Sequence, residues 1–89
     1  MTNDNIENLY KAVVSLKDVD TCRRFFIDIC TPKELQELSD RLQVAKLILD
    51  GNTYEKITEE TGMSSTTIAR INRAILYGEG GYKDVLDNQ

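Results

Sequence analysis

The sequence of 89 residues has no histidine, no tryptophan, one proline and two cysteines. Without imidazole there is no general base poised near neutral pH and no nitrogen ligand for zinc. Nor is there a ring to activate a serine or cysteine nucleophile. An enzyme is therefore not expected, and neither is a metal centre or another cofactor. The scarcity of proline argues against a disordered linker. No apolar run approaches the ~18 residues of a membrane span, and no charged-then-apolar leader opens the chain. These absences describe a soluble, cytoplasmic protein without a membrane partner. Cys22 and Cys30 fall in one expected helix, about 12 Å apart along its axis, which is beyond the reach of a disulfide. Two thiols without further ligands make a poor metal site, so both are expected as buried, reduced core residues.

What is present is ordinary for a globular chain: 40% hydrophobic and 29% charged residues. At this length a single domain over residues 1–89 is expected, burying roughly 60% of the unfolded surface. Eleven basic against fifteen acidic residues give a net charge of −4, which by itself speaks against nucleic acid. The distribution reverses that. Between Thr61 and Gly78 there is no acid, and Arg70 and Arg73 are the bases, so the rest of the chain stands at −6.

Apolar periodicity predicts helices throughout and no segment of sheet. The first spans 3–17, with Ile6, Leu9, Tyr10, Val13 and Leu16 on one face. Asp18 or Asp20 caps a second, lined by Val19, Cys22, Phe25, Phe26, Ile29 and Cys30. Thr31, Pro32 and Glu34 form the signature of a capping box opening a third helix, which runs to Asp50 and stops at Gly51. Its stripe of Leu35, Leu38, Leu42, Ala45 and Leu49, widened by Val44, Leu47 and Ile48, suits either a central core helix or a core helix that is also a dimer seam. A short helix over Thr53–Glu60, capped by Asn52 or Thr53, leads to the turn Thr61-Gly62-Met63. Ser64 or Ser65 then caps a helix reaching Leu76 or Tyr77. The glycine-rich joint 77–82 follows, and Lys83–Leu86 makes one last turn. Residues 1–51 thus read as core and dimerisation helices, 52–77 as a helix-turn-helix, and 78–89 as joint and short helix.

The helix-turn-helix reading rests on offsets. Such a motif needs a small residue in the turn and apolar residues where its two helices cross. Gly62 supplies the first. Ile57, Met63, Ile68 and Ile71 lie at −5, +1, +6 and +9 from it, while the usually small position at −4 holds Thr58. The second helix then presents Ser64, Ser65, Thr66, Thr67, Arg70 and Arg73. Short hydroxyls and free helix amides bind phosphate, and arginine favours phosphate and guanine edges. Thr53 and Lys56 of the preceding helix are placed to brace on the DNA backbone. Other features carry less. The glycines at 78–81 follow a helix rather than a strand, and no Gly-Lys-Ser/Thr follows them, so they make no phosphate loop. Glu59 and Glu60 form a solvated face, and the four tyrosines make no stacking platform.

Thr31-Pro32 opening a long helix that carries Arg41, followed by the helix-turn-helix through Gly62 to Arg73, resembles the Trp repressor superfamily. Within it, the chain is similar to the small Trp-repressor-like bacterial proteins of the YerC/YecD type. The likeness covers essentially the whole chain and is strongest from Phe25 to Leu86. It implies an all-α fold of about six helices in an intertwined homodimer, built from the first, second, third and last helices with paired reading heads on double-stranded DNA. In the Trp repressor, tryptophan lies between the central and recognition helices. The matching polar positions here are Thr31, Arg41 and Arg70, the candidate ligand-binding residues. Ile71 stands where the indole needs a glycine, and Ala74 where a serine meets the amino group. DNA reading therefore carries over, whereas tryptophan as corepressor is not expected. Two rival readings are a helical protein-interaction module, favoured by the acidic first half, and a repressor gated by another small ligand.

Overall fold

A computed structural model describes residues 4–87, which form six helices and, among the described residues, no strand. They are α1 (Asp4–Val14), α2 (Val19–Ile29), α3 (Pro32–Leu49), α4 (Tyr54–Thr61), α5 (Ser65–Tyr77) and α6 (Gly81–Asp87). Asn3, the first residue of the expected opening helix, lies outside the described residues. The chain divides into two compact units, with the boundary between Leu35 and Gln36 inside α3.

The first unit is built by its helix starts. Asp18 caps α2 by accepting a hydrogen bond of 2.7 Å from the Thr21 amide. At the head of α3 the capping box is complete. The Glu34 amide donates to Thr31 Oγ1 at 3.1 Å, and the Thr31 amide donates to Glu34 Oε1 at 2.8 Å. Each bond satisfies an amide that the helix itself leaves without a partner. The Phe25 and Phe26 rings meet edge to face at 5.5 Å. Yet neither α1 nor α2 has a buried residue. Val13, Leu16, Val19, Cys22, Phe26 and Ile27 line an open groove of about 680 Å³. Cys22 and Cys30 are free thiols but only half-buried, which corrects the expectation that both sit in the core. Among the described residues of the first unit, none is fully buried.

The second unit has a core. Val44, Ala45, Ile57 and Ile68 are fully buried and Ile71 and Ile75 nearly so. Leu47, Ile48, Leu49, Met63, Tyr82 and Leu86 pack around them. All four apolar offsets from Gly62 are thereby realised. The expected α3 stripe is realised in its second half, where Val44 and Ala45 are buried and Leu47, Ile48 and Leu49 pack on the core, while Leu38 and Leu42 remain 43% and 39% exposed. Between α4 and α5 lie only Gly62, Met63 and Ser64. Gly62 ends α4 with φ of 73°, the left-handed region. Thr61 Oγ1 donates to the Ile57 carbonyl at 2.7 Å and accepts from the Met63 amide at 3.1 Å, tying the turn on both sides. At the far end of α5, a Cβ on Gly78 would run into the Ala74 carbonyl oxygen, so that exit requires glycine. After Gly80, with φ of 79°, α6 begins two residues earlier and ends one later than expected.

Two outcomes follow. The Asp18 and Glu34 carboxyls are held below their ordinary values of 3.8 and 4.5, first by the backbone amides of Thr21 and Thr31 and then by those residues' hydroxyls. A folded value below the unfolded one adds stability that is full above the ordinary value and lost as pH falls through the folded one. The thermal midpoint should therefore decline as pH falls below about 5, and Asp18→Asn with Glu34→Gln should flatten that decline; an unchanged pH profile in the double variant contradicts it. Gly62→Ala meets no atom within 4 Å, so its cost is purely that of backbone conformation. It should lower unfolding free energy by about 1 kcal/mol in urea titration.

Candidate nucleic-acid interface

The outward face of α5 is set by its inward one. At 3.6 residues per turn, Ile68, Ile71 and Ile75 occupy one side of the helix. Thr66, Arg70, Arg73 and Tyr77 then share the opposite side, and all four are exposed. Neither arginine forms an ion pair among the described residues, so both guanidinium groups are available to an external anion. No acid lies on α5.

The other residues expected to contact DNA are all exposed, but several already have local work. Ser64 is the N-cap of α5: its Oγ accepts from the Thr67 amide at 3.2 Å and donates to Thr67 Oγ1 at 3.2 Å. Ser64 and Thr67 therefore fix the start of the helix, while Ser65 and Thr66 present their hydroxyls beside it. Thr53 caps α4, accepting from the Lys56 amide at 3.1 Å. Lys56 pairs with Glu60 at 3.6 Å in an exposed i,i+4 contact. Such pairs contribute about 0.3–0.5 kcal/mol, so a phosphate can displace the carboxylate at little cost.

On the other flank of α5, Thr67, Arg70, Ile71 and Ala74 line a cavity of about 430 Å³ with Arg41 of α3 and Tyr82 of α6. Two of the three candidate ligand residues, Arg41 and Arg70, thus meet in one cavity wall. Thr31 belongs to the first unit, where it is engaged with Glu34. Ile71 is part of the core, at 6% exposure, and a cavity remains beside it. Glu37 and Asp40 also line that cavity, and neither forms an ion pair with Arg41 or Arg70.

One polar link was not foreseen from sequence. Asn72 Nδ2 on α5 donates to the phenolic oxygen of Tyr54, the first residue of α4, at 3.0 Å. The partners are eighteen residues apart, and no periodic pattern marks either.

Comparison with known proteins agrees with this architecture. The chain is 46% identical over 82 residues to the uncharacterized protein YerC of Bacillus subtilis, spanning 92% of this chain and 79% of that one. A TrpR-like protein from Eubacterium eligens superposes with a TM-score of 0.91 at 42% identity, covering 98% of this chain and 90% of the other. A solved chain from Staphylococcus aureus gives 0.90 at 40% identity, covering 98% and 87%. Residues 4–89 match the family described as Trp repressor protein, and the chain belongs to that family.

Proposed function

We propose that this protein is a sequence-specific regulator of transcription that binds double-stranded DNA, repressor-like, through α4 and α5 as a helix-turn-helix. The observation that carries the reading is the acid-free face of α5, where Thr66, Arg70 and Arg73 stand opposite the buried isoleucines. In this reading α5 enters the major groove by its N-terminal end. Ser64, Ser65, Thr66 and Thr67 approach bases or phosphates, Arg70 and Arg73 bind phosphate or guanine, and Thr53 and Lys56 brace on the backbone. The protein works in the cytoplasm without enzymatic activity. Among the described residues, no helix is long and apolar enough to cross a membrane.

Pairing of two chains is part of the same proposal. Ile6, Tyr10, Val14, Val19 and Ile27 of the first unit are all exposed in a single chain. An exposed apolar face of that extent is characteristic of an interface, and a second copy covers it while supplying a second reading head. Residues 1–51 then serve dimerisation and core, 52–77 read DNA, and 78–89 close the domain. Two recognition helices enter successive major grooves ~34 Å apart on a palindrome-like site.

The cavity beside Arg41 and Arg70 favours a second reading, in which a small ligand gates the head. Tryptophan is not that ligand in our reading, because Ile71 and Ala74 stand in its wall where a glycine and a serine are needed. A helical protein-interaction module is the remaining rival, and an acidic dimer face around α5 would favour it.

Retention of genomic fragments by the purified protein at moderate salt should enrich one two-fold-symmetric sequence. Arg73→Ala should weaken that binding and lower the slope of log affinity against log salt by about one if Arg73 meets a phosphate. An unchanged slope with lost preference at one base pair makes it a base reader instead. Equal retention by wild type and variant counts against the proposal, and enrichment that needs added small metabolites selects the ligand-gated form. For pairing, sedimentation should give a mass near 20 kDa, twice the 10.1 kDa chain, and the thermal midpoint should rise with protein concentration. A 10 kDa species with a concentration-independent midpoint removes the dimer.

A further inference from the structure

The link between Tyr54 and Asn72 has a direction. A phenol has one hydrogen to donate and lone pairs to accept with. Because the Asn72 amide donates into the phenolic oxygen, the Tyr54 hydrogen is not used in that bond and remains to be donated elsewhere. Tyr54 opens α4 beside the cap Thr53 and is 37% exposed, so it is accessible to a partner. Asn72 immediately precedes Arg73 and lies on the edge of α5, between the buried isoleucines and the outward face of Thr66, Arg70 and Arg73. The hydrogen bond thus holds a hydroxyl with a hydrogen still to donate at the border of that face. The helix that carries it is the one that crosses the DNA backbone in a docked helix-turn-helix.

We infer that Tyr54 contacts a DNA phosphate through its hydroxyl and that Asn72 is the residue that positions it. The inference rests on the DNA-reading proposal above and adds a neutral contact to the cationic ones. A hydroxyl donating to a phosphate makes a charge-assisted hydrogen bond but neutralises no charge. It therefore releases no counterion, unlike Arg73. Phosphate contacts also carry no sequence information of their own.

Titration of an enriched fragment and of unrelated DNA over a range of salt separates these roles. Tyr54→Phe should bind both DNAs about tenfold more weakly at every salt concentration, with wild-type slope and wild-type preference between them. Asn72→Ala should show a smaller loss of the same kind, and the double variant should bind no more weakly than Tyr54→Phe alone. A scan of methylphosphonate substitutions should find one phosphate whose neutralisation weakens wild type but not Tyr54→Phe. Wild-type affinity in Tyr54→Phe overturns the inference while leaving DNA reading intact. A changed slope or a lost preference also overturns it, by making the bond a structural brace of the head. If wild type and Arg73→Ala show no salt-sensitive binding to either DNA, the DNA-reading proposal itself falls and this inference with it.

Discussion

Everything the second unit presents to its surroundings depends on the burial of Ile57, Ile68, Ile71 and Ile75 against Val44 and Ala45. Each isoleucine withdrawn from water contributes about 1.5–3 kcal/mol, far more than any surface contact nearby. With those side chains fixed inward, helical geometry leaves no choice about where Thr66, Arg70 and Arg73 go. Gly62 then permits α4 to stop and α5 to start within three residues, at a φ of 73° that other residue types adopt at a cost. The polar caps at Thr53 and Ser64 finish the job locally by supplying partners to the first amides of each helix.

Local features were legible from sequence because their causes are local. Asp18, the Thr31–Glu34 box, Thr53 and Ser64 all act within three residues, and each occupies the role its spacing indicates. The Gly62 offsets were legible for a related reason: a short turn allows few ways for two helices to cross. The extent of burial along α3 was legible only in part. A run of leucines shows that a helix is amphipathic but not what covers it, and Leu38 and Leu42 stay exposed while Val44 and Ala45 are covered. Cys22 and Cys30 misled in the same way, since a small apolar residue looks like core whether or not the chain has a core to offer. Glu37 and Asp40 in the cavity wall, and the partnership of Tyr54 with Asn72, arise where separate helices meet, and one-dimensional periodicity carries no trace of them.

The uneven distribution of charge gives the proposed reading head a particular character. α4 carries Glu55, Glu59 and Glu60 along its length, while α5 carries none, so attraction to an anion is confined to one helix face and its neighbouring Lys56. A protein of net charge −4 gains little from nonspecific attraction to DNA. Its hold on a site would come from fitted contacts rather than from a diffuse positive field. Neutral donors such as serine, threonine and tyrosine hydroxyls suit that design, because they add hydrogen bonds without adding salt-sensitive, sequence-blind affinity.

A segment such as the first unit, whose two full helices have no fully buried residue in a single chain, opens more easily than a packed core, and opened backbone is what proteases cut. Under the pairing we propose, a chain that has found its partner is shielded along that segment and a solitary one is not. The lifetime of the polypeptide then depends on how many copies surround it. Slow synthesis leaves short-lived single chains, whereas faster synthesis accumulates durable pairs, so the amount of regulator rises more steeply than its rate of production.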